Sequence, residues 1–187
     1  GMSQYSRKER NANSGIVVGV SPEDFPGDFR TNPLAGIAFQ RHWEERAFVA
    51  GGSNWFAPGQ LVGDFLAGKP STELRSVVPS YKPGVTPTDL SLCLPDYTIA
   101  AMREALPVFG RQIPNYAMED AVMTGVETRT SSPARMTRGG DLQSLNVKGF
   151  YPAGEGAGYA GGILSAAIDG IKVAEALALG VANKAAA

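Results

Sequence analysis

Three groups of residues in this chain are of types that bind ligands or react. The densest is Gly154-Glu155-Gly156-Ala157-Gly158-Tyr159-Ala160-Gly161-Gly162. Glycine lets the backbone come close to a ligand, and free N–H groups at a helix start point at anions. That chemistry suits a phosphate-bearing cofactor. The second group is Glu127-Thr128-Arg129-Thr130-Ser131-Ser132-Pro133, an acid, an arginine and four hydroxyls in seven residues, with Arg135 and Arg138 close behind. Arginine binds carboxylates and phosphates with a two-pronged fork. The same residues equally make an ordinary turn, its hydroxyls bonded to their own backbone and its arginines to surface acids. The third is His42, the only histidine. With no acid–nucleophile partner in view it reads as an exposed or packed helix residue rather than a catalytic one. One histidine and one cysteine cannot make a metal-ligand cluster.

The glycine stretch contains a formal G-x-G-x-x-G at Gly156, Gly158 and Gly161. A complete dinucleotide fingerprint needs a second strand after the helix, with an acid at its end about 20 residues on. Glu175, the acid at about that distance, sits inside the helical pattern, and no strand follows it. The motif by itself is therefore not a nucleotide-binding βαβ unit. A tight strand-to-helix turn with no ligand would carry the same glycines.

The residues resemble something more definite. Gly149-Phe150-Tyr151-Pro152-Ala153-Gly154-Glu155-Gly156-Ala157-Gly158-Tyr159-Ala160-Gly161-Gly162-Ile163-Leu164-Ser165-Ala166-Ala167-Ile168-Asp169-Gly170 is similar to the C-terminal flavin-contacting segment of the bacterial FAD-dependent (NAD(FAD)-utilising) dehydrogenases. The resemblance continues upstream through residues 125–133, 79–87 and 62–68, and covers the chain from about Ser14 to Leu177. It implies that Gly154, Glu155, Gly156, Gly161, Gly162 and Ile163 contact FAD, with Glu155 near the ribityl or diphosphate part. It also implies that Arg129, Thr130, Ser131 and Arg135 lie on the substrate side. Such enzymes carry an ADP-binding Rossmann unit N-terminal to this region, which this sequence lacks. The resemblance therefore implies the C-terminal part of a longer flavoprotein, whose partner is the missing FAD-binding domain. This chain alone is expected to be inactive and free of FAD. The alternative is a cofactor-free structural or binding domain. The substrate is an unidentified small molecule, and no metal is expected.

These groups need elements to position them. The β-branched run 14–20 reads as a strand. Asn32 caps a helix with Pro33 in its first position; Gly36, Phe39, Trp43, Ala47 and Ala50 share one side, and Gly51-Gly52 stops it. Residues 55–58 and 60–66 read as one or two strands. The Pro/Gly-rich stretch 67–88 reads as an ordered loop, because Val77, Val78, Tyr81 and Val85 interleave it. A helix over 95–106 places Tyr97, Ala101, Ala105 and Val108 near one face and ends or kinks at Pro107. Strands follow at 121–126 and, more weakly, at 134–137. The apolar run 147–153 reads as a short buried strand entering the glycine loop. In the last helix, Leu164, Ala167, Ile168, Ile171, Ala174 and Ala178 form the apolar face, opposite Ser165, Asp169, Lys172 and Glu175.

Composition sets the outer limits. The 187 residues, 43% hydrophobic and 19% charged, are ordinary for one globular domain or one and a piece. A net charge of −1 makes no electrostatic case for nucleic acid or membrane. The single cysteine excludes an internal disulfide and suits a reducing cytoplasm. The expected fold is α+β: a substrate-side domain over 14–146 with a mostly antiparallel sheet, then the C-terminal strand and helix of an incomplete Rossmann-like FAD domain over 147–180.

Overall fold

The computed structural model describes residues 6, 8–129 and 131–185, the side chains of 184 and 185 excepted. Its architecture is α+β. Among the described residues, four α-helices, α1 (Ala35–Ala50), α2 (Val62–Leu66), α3 (Asp96–Gln112) and α4 (Ile163–Ala185), accompany three strands, β1 (Ala57–Leu61), β2 (Val85–Pro87) and β3 (Val122–Thr124). The chain divides into two compact units, 1–21 with 40–128 and 22–39 with 129–187.

The sheet lies in the first unit, in the order β2-β1-β3. It is mixed rather than mostly antiparallel: β1 pairs parallel with β2 (Gly59 opposite Pro87) and antiparallel with β3 (Gly59 opposite Thr124). The parallel pair exists because the 67–88 stretch crosses back to the start of β1 instead of turning as a hairpin. A Cβ on Gly59 would lie 2.3 Å from Val85 Cγ1 and 3.3 Å from the Met123 carbonyl oxygen, so glycine is what lets both neighbours close in.

Residues 62–66 form a helical turn, not the expected strand. That turn buries Val62 and Phe65, three apart, on one side. Asp64 accepts a hydrogen bond from Ser71 Oγ at 2.7 Å, and Ser71 Oγ accepts one from Leu61 N at 2.9 Å. The Ser71 hydroxyl, ahead of Lys69, holds the Asp64 carboxyl below the usual carboxylate range. Gln60, fully buried, donates to Lys69 O and accepts from Leu90 N. These bonds order the start of the Pro/Gly-rich crossing, as expected of it.

The first unit's core is Ala47, Val62, Phe65, Leu90, Cys93, Ile99, Met102, Leu106 and Met123. In α3 the buried positions are Thr98, Ile99, Met102 and Leu106, while Tyr97 and Val108 are exposed. The core thus takes the longer aliphatic side chains in preference to the Tyr97–Val108 face expected from spacing. The helix also continues past Pro107 to Gln112 instead of ending there. The Asn32 side chain accepts from Leu34 N at 3.1 Å, in the turn that leads into α1 at Ala35, two residues later than the expected start at Pro33. Gly36 and Ala47 are buried, and the other members of the expected face are half-buried.

Burial pushes the Cys93 thiol up to about 11. Cys93 is therefore expected to resist a soluble thiol reagent at pH 8 in the native protein and to react fully in denaturant. Rapid native labelling would show that this core opens readily.

Two expected strands do not form among the described residues. Residues 15–20 carry no ladder. At 147–153, Phe150 N bonds back to Val147 O, Gly149 has φ +80, and the Pro152 carbonyl accepts from the Arg138 side chain. A strand needs a neighbour to share its ladder, and here a local turn and a side chain take those groups instead. The weaker strand at 134–137 is unassigned too; among the described residues a single bridge, Arg138 with Ser144, lies beside it.

Candidate functional site

The glycine loop lies in the second unit, between Gly154 and the start of α4. Gly154 and Gly158 have φ of +66 and +80, a left-handed backbone that favours glycine. They make two tight turns: Gly158 N donates to Glu155 O at 2.9 Å, and Tyr159 N donates to Gly154 O at 3.1 Å. A Cβ on Gly158 would lie 3.0 Å from Ala134 O and 3.1 Å from Arg135 Cα. The close approach at Gly158 is therefore to the chain's own segment 134–136, and Met136 N donates to Ala157 O beside it at 3.2 Å.

What fixes the loop is a pair of charges that spacing did not single out. Arg138 Nη2 lies 2.5 Å from Asp169 Oδ1, and Arg138 Nη1 lies 3.0 Å from Oδ2. The two side chains are only 9% and 14% exposed. Arg138 Nη1 also donates to Pro152 O at 2.7 Å, and Asp169 Oδ2 accepts from Gly154 N at 2.8 Å. The guanidinium thus bridges the chain entering the loop to the helix leaving it. The Arg138 fork, with Gly154 N–H second, holds the Asp169 carboxyl down at about 2. Asp169 in turn keeps Arg138 more firmly protonated than usual. Tyr159 completes the brace. Its ring lies under the Arg138 guanidinium at 3.7 Å and the Arg135 guanidinium at 4.3 Å, and its hydroxyl accepts from Arg138 N at 3.0 Å. In the sequence Asp169 falls on the polar face of the helix with Ser165, Lys172 and Glu175, and its partner is not legible there, because 31 residues separate them.

The other side of the loop is open. Gly154 is buried, but Glu155, Gly156, Gly161, Gly162 and Ile163 are exposed. A Cβ at Gly156 would meet nothing within 4 Å. Ser165 Oγ accepts from Gly162 N at 3.1 Å and donates to Gly162 O at 2.9 Å, closing the first turn of α4. No described residue accepts from the N–H of Glu155, Gly156, Ala160 or Gly161. N–H groups without a described acceptor on a glycine-rich loop fit a cofactor rich in phosphate and carbonyl acceptors, as FAD is. Of the expected substrate-side residues, Arg135 comes to the loop through Tyr159, and Ser131 through Gly161, whose Cβ would sit 3.5 Å from Ser131 Oγ. Arg129 is exposed on the segment that leads to them, and Thr130 lies outside the described residues. Among the described residues no three His, Cys, Asp or Glu side chains come together as a metal site, and no helix is long and apolar enough to cross a membrane.

Comparison with known proteins adds two findings. The family model described as "FAD-dependent protein, C-terminal domain-like" matches residues 1–130. An uncharacterised protein of Clostridium beijerinckii is 55% identical over 175 residues, which is 94% of this chain and 32% of that protein. The chain thus spans about a third of the length of the relative it matches.

Proposed function

This chain belongs to the FAD-dependent protein, C-terminal domain-like family, and from that we propose that it is the C-terminal part of an FAD-dependent oxidoreductase, a dehydrogenase. The first unit and the Arg129–Arg135 segment serve the substrate side. Gly154, Glu155, Gly156, Gly161, Gly162 and Ile163 hold the flavin. The observation that carries this reading is the set of N–H donors without a described acceptor on a loop braced by Arg138 and Asp169.

FAD supplies the redox chemistry when bound, taking up a hydride or electrons at its ring. The protein's share is binding and orientation. Gly156 and Gly161 keep the loop's open side free of side chains. Glu155 offers a carboxylate to a ribityl hydroxyl and not to phosphate, since two anions would repel. The α4 start favours negative charge on whatever faces it.

The apolar face of α4 supports a larger host. Leu164, Ile168 and Ile171 are exposed, while the face that packs is Ala166, Asp169, Gly170, Val173 and Ala176. A helix apolar on both sides belongs between two layers, here its own unit and the N-terminal FAD-binding domain. A cofactor-free structural domain is the second reading. It is favoured by Gly158, whose close approach is to its own chain.

In a full-length protein carrying this segment, Glu155→Gln is expected to weaken FAD binding by about 1.5–3 kcal/mol, one hydrogen bond to a charged group. Gly162→Val is expected to weaken it further, by placing a β-branched side chain 3.3 Å or closer to Ser165 Oγ at the helix start. Flavin fluorescence titration reads both. Equal affinities in wild type and both variants would favour the cofactor-free reading. This chain alone is expected to purify without flavin absorbance.

A further inference from the structure

The segment Gly15–Val20 is built like a strand and has no strand beside it. Ile16 and Val18 pack on the first unit's core, whereas Val17, between them, is 79% exposed. That alternation is the period of a strand with one buried face. Flanking side chains pin the segment's start: Asn11 Nδ2 donates to Val78 O at 2.7 Å, and Ser14 Oγ lies 2.9 Å from Tyr116 Oη. Yet among the described residues none bonds to a backbone N–H or C=O of Gly15–Val20. Natural sheets blunt a free edge with lysine, proline or an inward charge. The six residues Gly-Ile-Val-Val-Gly-Val contain none of these. An undefended, β-branched edge is one that the intact protein covers.

We propose that Gly15–Val20 is an edge strand completed by a β-strand from the part of the longer polypeptide that lies outside this segment. The occupant is chosen on length. About two-thirds of the Clostridium beijerinckii relative falls outside the matched region, which leaves ample chain to supply a strand. The pairing strand is expected to alternate too, with an apolar side chain meeting Val17 on the outer face. This inference does not depend on FAD.

Hydrogen exchange read by mass spectrometry tests it, on this chain and on the full-length relative. In this chain the amides of residues 16–20 are expected to exchange at nearly intrinsic rates at every protein concentration. In the relative, the alternate aligned amides that face the added strand are expected to be slowed at least about 100-fold, as ladder bonds require. Equally fast exchange in both proteins would overturn the proposal and leave a solvated segment. Slowing in this chain that grows with concentration, together with a dimer mass in sedimentation, would overturn it in favour of a second copy of this chain.

Discussion

Arg138→Ala is expected to lower stability by about 2–4 kcal/mol, toward the low end of what breaking a buried pair costs because both side chains keep some solvent contact. The substitution strands a carboxylate left with the Gly154 N–H as its donor among the described residues, and it releases the Pro152 carbonyl. It also removes one of the two guanidiniums over Tyr159. Arg138→Lys is expected to recover only part of the loss, since an ammonium cannot make the fork to both carboxylate oxygens. Acid adds a second readout. The Asp169 carboxyl is held at about 2, below its ordinary 3.8. Its contribution is therefore complete above pH about 4 and is lost as pH falls through about 2. Urea unfolding between pH 7 and 2 should show that acid-labile component in the wild type and not in Asp169→Asn. An Arg138→Ala protein as stable as wild type at pH 7 would show that the brace contributes nothing.

Phe65→Ala is expected to cost about 3–5 kcal/mol, the range for removing a fully buried aromatic side chain. Phe65 is 0% exposed and sits where α2, α3 and β3 supply the core. Its ring also lies 5.2 Å below the Arg103 guanidinium, and its carbonyl accepts from Arg103 Nε at 2.9 Å. The backbone bond survives the substitution, so the loss is one of packing. Phe65→Leu should recover much of it. The measurement is a urea transition with a shifted midpoint and an unchanged slope. A shift equivalent to under about 1 kcal/mol would mean that the core closes over the gap with little loss.

The parts of the candidate site that were legible in the sequence are the short-range ones. The glycine loop, the helix after it and the turn at Asn32 depend on neighbours within about four residues, and local chemistry decides such features. The resemblance implies a substrate-side role for Arg135 and Ser131; in the structure the Arg135 guanidinium lies over Tyr159 and Ser131 lies beside Gly161. Errors begin where a partner is distant. Residues 62–66 pattern as well for a strand as for a helical turn, and burial of Val62 and Phe65 together selects the turn. Spacing puts Tyr97 and Val108 on one face of α3, but the core accepts Ile99, Met102 and Leu106. In α4 the apolar face seen in the sequence is real, yet it is the outward one within this chain.

The sequence by itself determined the element types with strong local signals, the flexible backbone at Gly154–Gly162 and the likeness to a flavin-contacting segment. Only the tertiary structure decided which groups hold that loop. Arg138 and Asp169 are remote along the chain, and their attraction becomes strong only when folding brings them to 2.5 Å and removes most of the water between them. It also decided that 15–20 and 147–153 carry no ladder here. A strand is a property of two segments, and the pattern of one segment states its readiness to pair, not the presence of its neighbour.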